Sequence, residues 1–534
     1  MINNELREGP FVSSYGQFIN NQAAKYPSSL YLKDINHLNM RGLLVLLTII
    51  SATITQAQKI PNPTPWANLI TEADLKNHLY IVASKEFEGR ETATEGQKKA
   101  AAYIENHFKT IGLAPGNGNS YQLRYPVYRD SVNEAEISVN DTSYRLNDDF
   151  AVNAANVYQS TIFGSDIAFA GYGRSDSTQD DYKGIRTAGK IVLLIEKGEP
   201  NPRQARMNQF NAVRNAQKKG AVAVLYVQSN FSQRQRPSGG QMYTNPYKFA
   251  VDPNVYYVSE KIARAIMGSD YDEAVSGKGQ PKNYNSNVKL EVNKTAEKLE
   301  SSDVLGYLEG TDLKDQLLVI SAHYDHLGKR DTVIYYGADD DGSGTVSIME
   351  IAAAFAKAKA AGKGPRRSIL FLANSGEEKG LWGSAYYTNH PTYPLDKTTV
   401  DLNIDMIGRI DPNRKIGDST NYVYVVGDDK LSSDLKPISI AQNTKFTKLE
   451  LDYKFNDPND PDRIYYRSDH YNFARKGVPI IFYFDGIHHD YHQPTDTPDK
   501  INYDIMAKRA KLVFYTAWDM ANRKDMLKRD IPLK

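Results

Sequence analysis

The feature that most constrains this chain lies in its second half. Leu317–Ala322, Ser368–Ala373, Thr399–Asp405, Tyr422–Val426 and Val478–Phe484 are mostly continuous apolar or β-branched runs. Runs without polar alternation suit strands buried on both faces, as in sheets covered by helices. Helix-length segments lie between them. Ser343–Lys359 carries Val346, Met349 and Ala353 at helical spacing, with Ser343 or Thr345 as cap, and Asp469–Lys476 is a second such segment. From Asp303 onward the pattern therefore predicts an α/β fold: a mixed, mostly parallel central sheet flanked by helices.

Upstream the pattern changes twice. Glu72–Ser84 and Ala93–Ile111 repeat apolar residues every three or four positions, among them Ala101, Ile104, Phe108 and Ile111, and Gly112 and Pro115-Gly116 end the second helix. Between Asp130 and about Thr295, short strand-like runs (Thr161–Phe169, Lys190–Ile195, Ala221–Val227) alternate with turns, and a helix-like stretch, Ala205–Lys219, precedes the last of them. Gln228–Asn245 is polar, as an exposed loop is. At 534 residues the chain has room for two or three domains. The expected division is one domain from residues 58–129 and 296–534, with a smaller β-rich domain, 130–295, inserted in it.

A net charge of +1 gives no global field directed at nucleic acid, a membrane or a strongly charged substrate. The 36 tyrosines suggest a wet, aromatic surface or cleft. The absence of cysteine removes disulfides, thiolate zinc sites and cysteine nucleophiles, but does not indicate a compartment. Met40-Arg41, the apolar run Gly42–Ile50 and the small residues of Thr55–Ala57 match a secretory signal peptide, too short for a membrane span. This predicts translation from Met40, residues 1–39 as a mis-assigned extension, 40–57 as the signal, Gln58 as the mature start, and export to a periplasm or the extracellular space, with no membrane span in the mature chain.

Five acid- and imidazole-bearing segments follow in order: His323–His326 (HYDH), Gly337–Gly344 (GADDDGSG), Ser375–Glu378 (SGEE), Asn403–Gly408 (NIDMIG) and Asp490–Thr497 (DYHQPTDT). Ligands in open α/β sheets bind beyond the carboxyl ends of the strands. His323 directly follows one apolar run, Glu377-Glu378 follow the next after a short turn, Asp405 ends a third, and His492 follows a fourth after a loop; Asp340 instead precedes a helix. Six of the ten histidines fall in the windows His323–His326 and His470–His492. Imidazoles with carboxylates and no sulfur suit Zn²⁺ or a similar divalent ion such as Mn²⁺ or Co²⁺. Taken singly, each motif has a commoner explanation: a satisfied core or surface histidine, a solvated acidic loop, the first turn of an exposed helix. Asp405 differs, because a carboxylate ending a buried run needs a partner.

As a set these residues closely resemble the M28 family of zinc peptidases, from about Thr71 to the C-terminus. Glu86–Arg90 looks like the family's N-terminal segment. The inserted region resembles a protease-associated (PA) domain through Gly171-Tyr172-Gly173, Asp181-Tyr182, Gly189–Val192 and Gly198-Glu199-Pro200. The resemblance implies that His323, Asp340 and Asp405 hold one metal ion and Asp340, Glu378 and His492 a second, both most readily Zn²⁺. It implies that Asp340 bridges the two, that Asp325 orients His323 from behind, that Glu377 is the general base, and that Tyr465 stands near the developing oxyanion.

The implied activity is removal of N-terminal residues from peptides with a free N-terminus, by a metal-bridged hydroxide with Glu377 moving the proton. Three alternatives stay open. They are a carboxypeptidase or dipeptidase on the same site, a glutaminyl cyclase using one metal, and a receptor-like binding protein without catalysis. The sequence does not indicate the oligomeric state.

Overall fold

The computed structural model describes residues 60–231, 240, 242–245 and 252–533. The segments read as extension and signal peptide, residues 1–57, lie outside the described residues, as do residues 232–239 and 241 of the 228–245 loop.

After a short helical turn at Thr64–Ala67 come two longer helices, α1 (Glu72–Val82) and α2 (Glu95–Thr110). The Thr71 hydroxyl caps α1 by accepting from the Asp74 N–H, satisfying one of the donors a helix start leaves free. The longer strands, in chain order, are β1 (Gln122–Val139), β2 (Ser160–Phe169), β3 (Ile191–Ile195), β4 (Ala223–Val227), β5 (Asn254–Val258), β6 (Lys282–Leu308), β7 (Leu313–His323), β8 (Arg367–Asn374), β9 (Thr398–Ile404), β10 (Tyr422–Val426), β11 (Glu450–Asp452) and β12 (Ile480–Phe484). They lie in one sheet, eleven of them in the order β11-β10-β12-β9-β7-β8-β6-β2-β3-β4-β5, with β1 off this path and paired to β6.

The segment that positions the site is the run β12-β9-β7-β8, parallel throughout. All four strands are buried along their apolar stretches, as continuous apolar runs require. Helix α3 (Gly344–Ala360) packs against β7, β8 and β9, and α4 (Tyr503–Asn522) against α1, α3 and the same strands. Register pairs His323 with Asn374 and Ile404 with Tyr483, so neighbouring strands end level with one another on one edge.

Two hydrophobic clusters draw on residues 67–123 and 304–527, and two others on residues 137–292. The boundaries expected at 129/130 and 295/296 fall inside β1 and β6, which pair antiparallel over most of β1 and carry the sheet from one set of clusters to the other.

Candidate metal centre

The parallel edge gathers the five segments. His323 is the last residue of β7, Glu377 and Glu378 follow β8 after Ser375-Gly376, Asp405 follows β9, and His492 sits on the loop after β12. Asp340 comes from the tight turn Ala338–Ser343 that enters α3. Two glycines make that turn possible. Gly337 has φ +55, and a Cβ there would stand 2.4 Å from the His326 ring. A Cβ on Gly344 would meet the Asp341 carboxylate at 2.4 Å.

The distances among the gathered atoms decide what they can do. His323 Nε2 lies 3.3 Å from Asp340 Oδ1 and 3.6 Å from Asp405 Oδ1. His492 Nε2 lies 3.0 Å from Asp340 Oδ2 and 3.2 Å from Glu378 Oε2. Two ligand atoms each about 2.0–2.2 Å from a tetrahedral zinc are about 3.3 Å apart. The two oxygens of Asp340 thus face two different imidazoles, each at ligand-to-ligand spacing. His323 Nε2, Asp340 Oδ2 and Glu378 Oε1 are buried and accept or donate no protein hydrogen bond, an arrangement that calls for a partner the chain does not supply.

Electrostatics supports the same fit. Burial would raise the Asp340 carboxyl, yet His323 and His492 hold it well below the usual carboxylate range. Burial opposes protonation of His492, but Asp340 and Glu378 push its pKa up to about 10. In this cluster histidine protons balance buried carboxylates; a divalent cation supplies that charge instead and displaces those protons. The residues present therefore fit zinc. Glu377 is set apart from the ligands: its Oε2 is 3.9 Å from His323 Nε2. Burial, reinforced by repulsion from Glu378 and Asp405, pushes its carboxyl well above the usual range.

Distance alone also groups Asp341 with His323 and Asp405, and His326 with Asp340 and Glu378. Asp341 is otherwise engaged, accepting from the backbone N–H groups of His323, Gly344 and Met406. His326 Nδ1 is 2.7 Å from Glu378 Oε1 but 3.8 Å from Asp340 Oδ2, spacings that fit a shared ion less evenly than those of His492. Sequence reasoning left His326 without a role; its position three residues after His323 was the signal available.

Two other expectations change in detail. The His323 Nδ1–H donates to the Asp325 backbone carbonyl at 3.1 Å, while the Asp325 carboxylate oxygen stands 3.7 Å away, beyond hydrogen-bond reach. Tyr465 packs in the core next to Ile464 and makes no hydrogen bond to the cluster. Its ring is buried in a hydrophobic cluster with Phe455 and Ile464, and its hydroxyl has no hydrogen-bond partner. The cavity beside Asp340, Glu377 and Asp405 is walled by Met406, Ile464, Arg467, Phe482, Phe484 and Tyr491 among others, but not by Tyr465. Tyr491 stacks on His492 at 3.9 Å between ring centroids.

Sequence reasoning also missed the work of Arg90. Its fully buried guanidinium donates to the carbonyls of Val82, Tyr324, Tyr336 and Gly337, tying the loops that carry Asp325 and Asp340 to the N-terminal helices.

Comparison with known proteins finds similarity to peptidases. A probable leucine aminopeptidase of Arthroderma otae is 28% identical over 292 residues, 53% of this chain and 74% of that relative. A probable zinc metalloprotease of Pyrenophora tritici-repentis is 26% identical over 263 residues, 41% of this chain; the match spans about half of that relative, 51%. In structure, the chain resembles an aminopeptidase from Aneurinibacillus sp. strain AM-1 with a TM-score of 0.53 at 18% identity, covering 88% of this chain and 99% of that one, a likeness of fold.

The relatives also correct one expectation. They include vacuolar membrane proteases of Tuber melanosporum and Candida tropicalis, matched over 19% and 28% of this chain. Fungal and vacuolar relatives overturn the bacterial periplasmic or extracellular location inferred from residues 40–57. Among the described residues no helix is long and apolar enough to cross a membrane. Residues 303–517, which carry every member of the cluster from His323 to His492, match peptidase family M28, so the chain carries a peptidase M28 domain.

Proposed function

We propose that the chain is a zinc aminopeptidase using two metal ions. His323, Asp340 and Asp405 would hold one, and Asp340, Glu378 and His492 the other. The observation that carries this reading is the pair of Asp340 oxygens, each facing a different imidazole at ligand spacing. When bound, such a pair lowers the pKa of a water and polarises the scissile carbonyl.

The chain's own groups do the rest. Glu377, which stands beside the ligands at 3.9 Å from His323 Nε2, accepts a proton from the attacking water in its ionised form and returns it to the leaving amine. Met406, Ile464, Phe482 and Phe484 on the cavity wall favour an apolar N-terminal side chain. The 13% exposure of the Glu377 side chain, against 35% for His492, leaves the cluster open on the His492 side. Residues 130–295 are proposed as a PA-like lobe that shapes access to this opening, supported by its separate hydrophobic clusters; an unchanged substrate profile after its deletion would argue against that role.

Arg467 on the same wall favours a second reading, in which a substrate's free carboxylate is bound and the enzyme is a carboxypeptidase or dipeptidase. A panel of aminoacyl, N-blocked and C-blocked peptides, with and without chelator, separates the two. Cleavage that needs a free amine and is restored by Zn²⁺ supports the aminopeptidase; cleavage of N-blocked substrates, or cleavage indifferent to chelation, overturns it.

A further inference from the structure

Among the helices behind the sheet, a second set of ligand-type side chains converges. His78 comes from α1, His107 from α2 and Glu350 from α3. One donor atom from each of the three lies within 4.8 Å of the others. His78 Nε2 is 3.1 Å from Glu350 Oε1, close to the about 3.3 Å separating two ligand atoms on one tetrahedral zinc. The two imidazoles meet edge to face, 4.8 Å between centroids.

The outer nitrogens are already committed. His78 Nδ1 is 2.6 Å from the Tyr103 hydroxyl, and His107 Nε2–H donates to the Met349 carbonyl at 3.1 Å. Metal-binding histidines are held in this way, one nitrogen fixed by a polar partner and the other left for the ion. Glu350 is buried, whereas both histidines are half-buried and leave an entry route.

We propose that His78, His107 and Glu350 form a further divalent-cation site, separate from the Asp340 cluster, that binds zinc or a similar ion and ties α1 and α2 to α3. Two imidazoles and a carboxylate without sulfur suit that class of ion, with water completing the coordination. Its place in the fold gives it a structural role. Helix α3 begins at Gly344, directly after the turn that holds Asp340 and Asp341, so an ion at Glu350 anchors the helix on which that turn rests. None of the three residues belongs to the proposed catalytic set, and the proposal does not depend on the activity.

The test is a metal count on the full chain, loaded with Zn²⁺ and desalted, for the unaltered protein and for His107→Gln and Glu350→Gln. The expected result is about one zinc equivalent fewer in each variant, with peptide hydrolysis unchanged within about twofold and a lower melting temperature in zinc. Equal zinc content in all three overturns the proposal, whatever the activity. Should those replacements fail to fold, His78→Asn provides the second arm. Loaded with Co²⁺, it must lose part of the visible ligand-field absorption of the unaltered protein. An unchanged Co²⁺ spectrum and count leave Tyr103-His78-Glu350 as a hydrogen-bonded relay and end the metal assignment.

Discussion

The backbone N–H of Glu377 donates to Asp325 Oδ1 at 3.2 Å, and Thr92 Oγ1 donates to the other oxygen of the same carboxylate at 2.7 Å. Asp325 therefore fixes the loop that presents Glu377, while its own backbone carbonyl, not its side chain, holds the His323 ring. The two tasks separate in a variant. Asp325→Ala should keep the metal content close to that of the unaltered protein, because the carbonyl still orients His323. It should lower kcat by about 10–100-fold, because Glu377 loses its anchor. Metal analysis beside steady-state kinetics checks this. Loss of metal in proportion to activity would instead mean that the carboxylate acts on His323.

Glu377 itself is predicted to be dispensable for the metals and essential for turnover. It stands 3.9 Å from His323 Nε2, outside the tighter spacings of the other carboxylates. Glu377→Gln keeps the shape and removes the proton acceptor, so kcat should fall by about 10²–10⁴-fold with KM little changed. Zinc stoichiometry and single-turnover rates on an aminoacyl substrate provide the measurement, and retained turnover would reject Glu377 as the base.

His326 and His492 both approach Glu378, and their replacement should have different outcomes. His492 faces Asp340 and Glu378 evenly, so His492→Ala should remove one metal position. His326 is buried 2.7 Å from Glu378 but 3.8 Å from Asp340, so His326→Ala should weaken metal affinity by about 10–100-fold without abolishing binding at saturating Zn²⁺. Zinc titrations of apo protein distinguish the two. Equal losses would make His326 a ligand in its own right.

What could be read from the residues divides along a physical line. The buried parallel strands were legible, because continuous apolar runs have few other uses: Tyr422–Val426 is expected and found with the same ends, and β7, β8 and β9 begin or end within four residues of the expected runs. The antiparallel ribbon of β1 and β6 was not legible. Gln122–Val139 and Lys282–Leu308 are studded with charged residues and Asn, and their length comes from pairing with each other over residues far apart in sequence. The cluster was legible as strand ends, whereas the commitment of Asp341 to three backbone donors and the reach of Arg90 depend on how loops fold back, which spacing does not encode.

A last prediction concerns pH and lies outside the metal cluster. Asp428 follows β10 and is fully buried; its Oδ1 accepts from Asn456 Nδ2, and Oδ2 has no partner. Burial pushes its pKa up to about 7. In the unfolded chain an aspartate titrates near about 4. Between those values the folded protein keeps a proton that the unfolded chain releases, so this group's contribution to stability is greatest below about pH 4, falls by about 1.4 kcal/mol per pH unit as pH rises, and levels off above about pH 7. Asp428→Asn removes the titration while retaining a side chain of the same shape. It should raise stability at pH 8 by about 2–4 kcal/mol and have little effect at pH 4, flattening the pH dependence between them. Denaturant melts at both pH values measure this. A variant less stable than the unaltered protein at pH 8 would mean that the ionised carboxylate is stabilised in the folded chain.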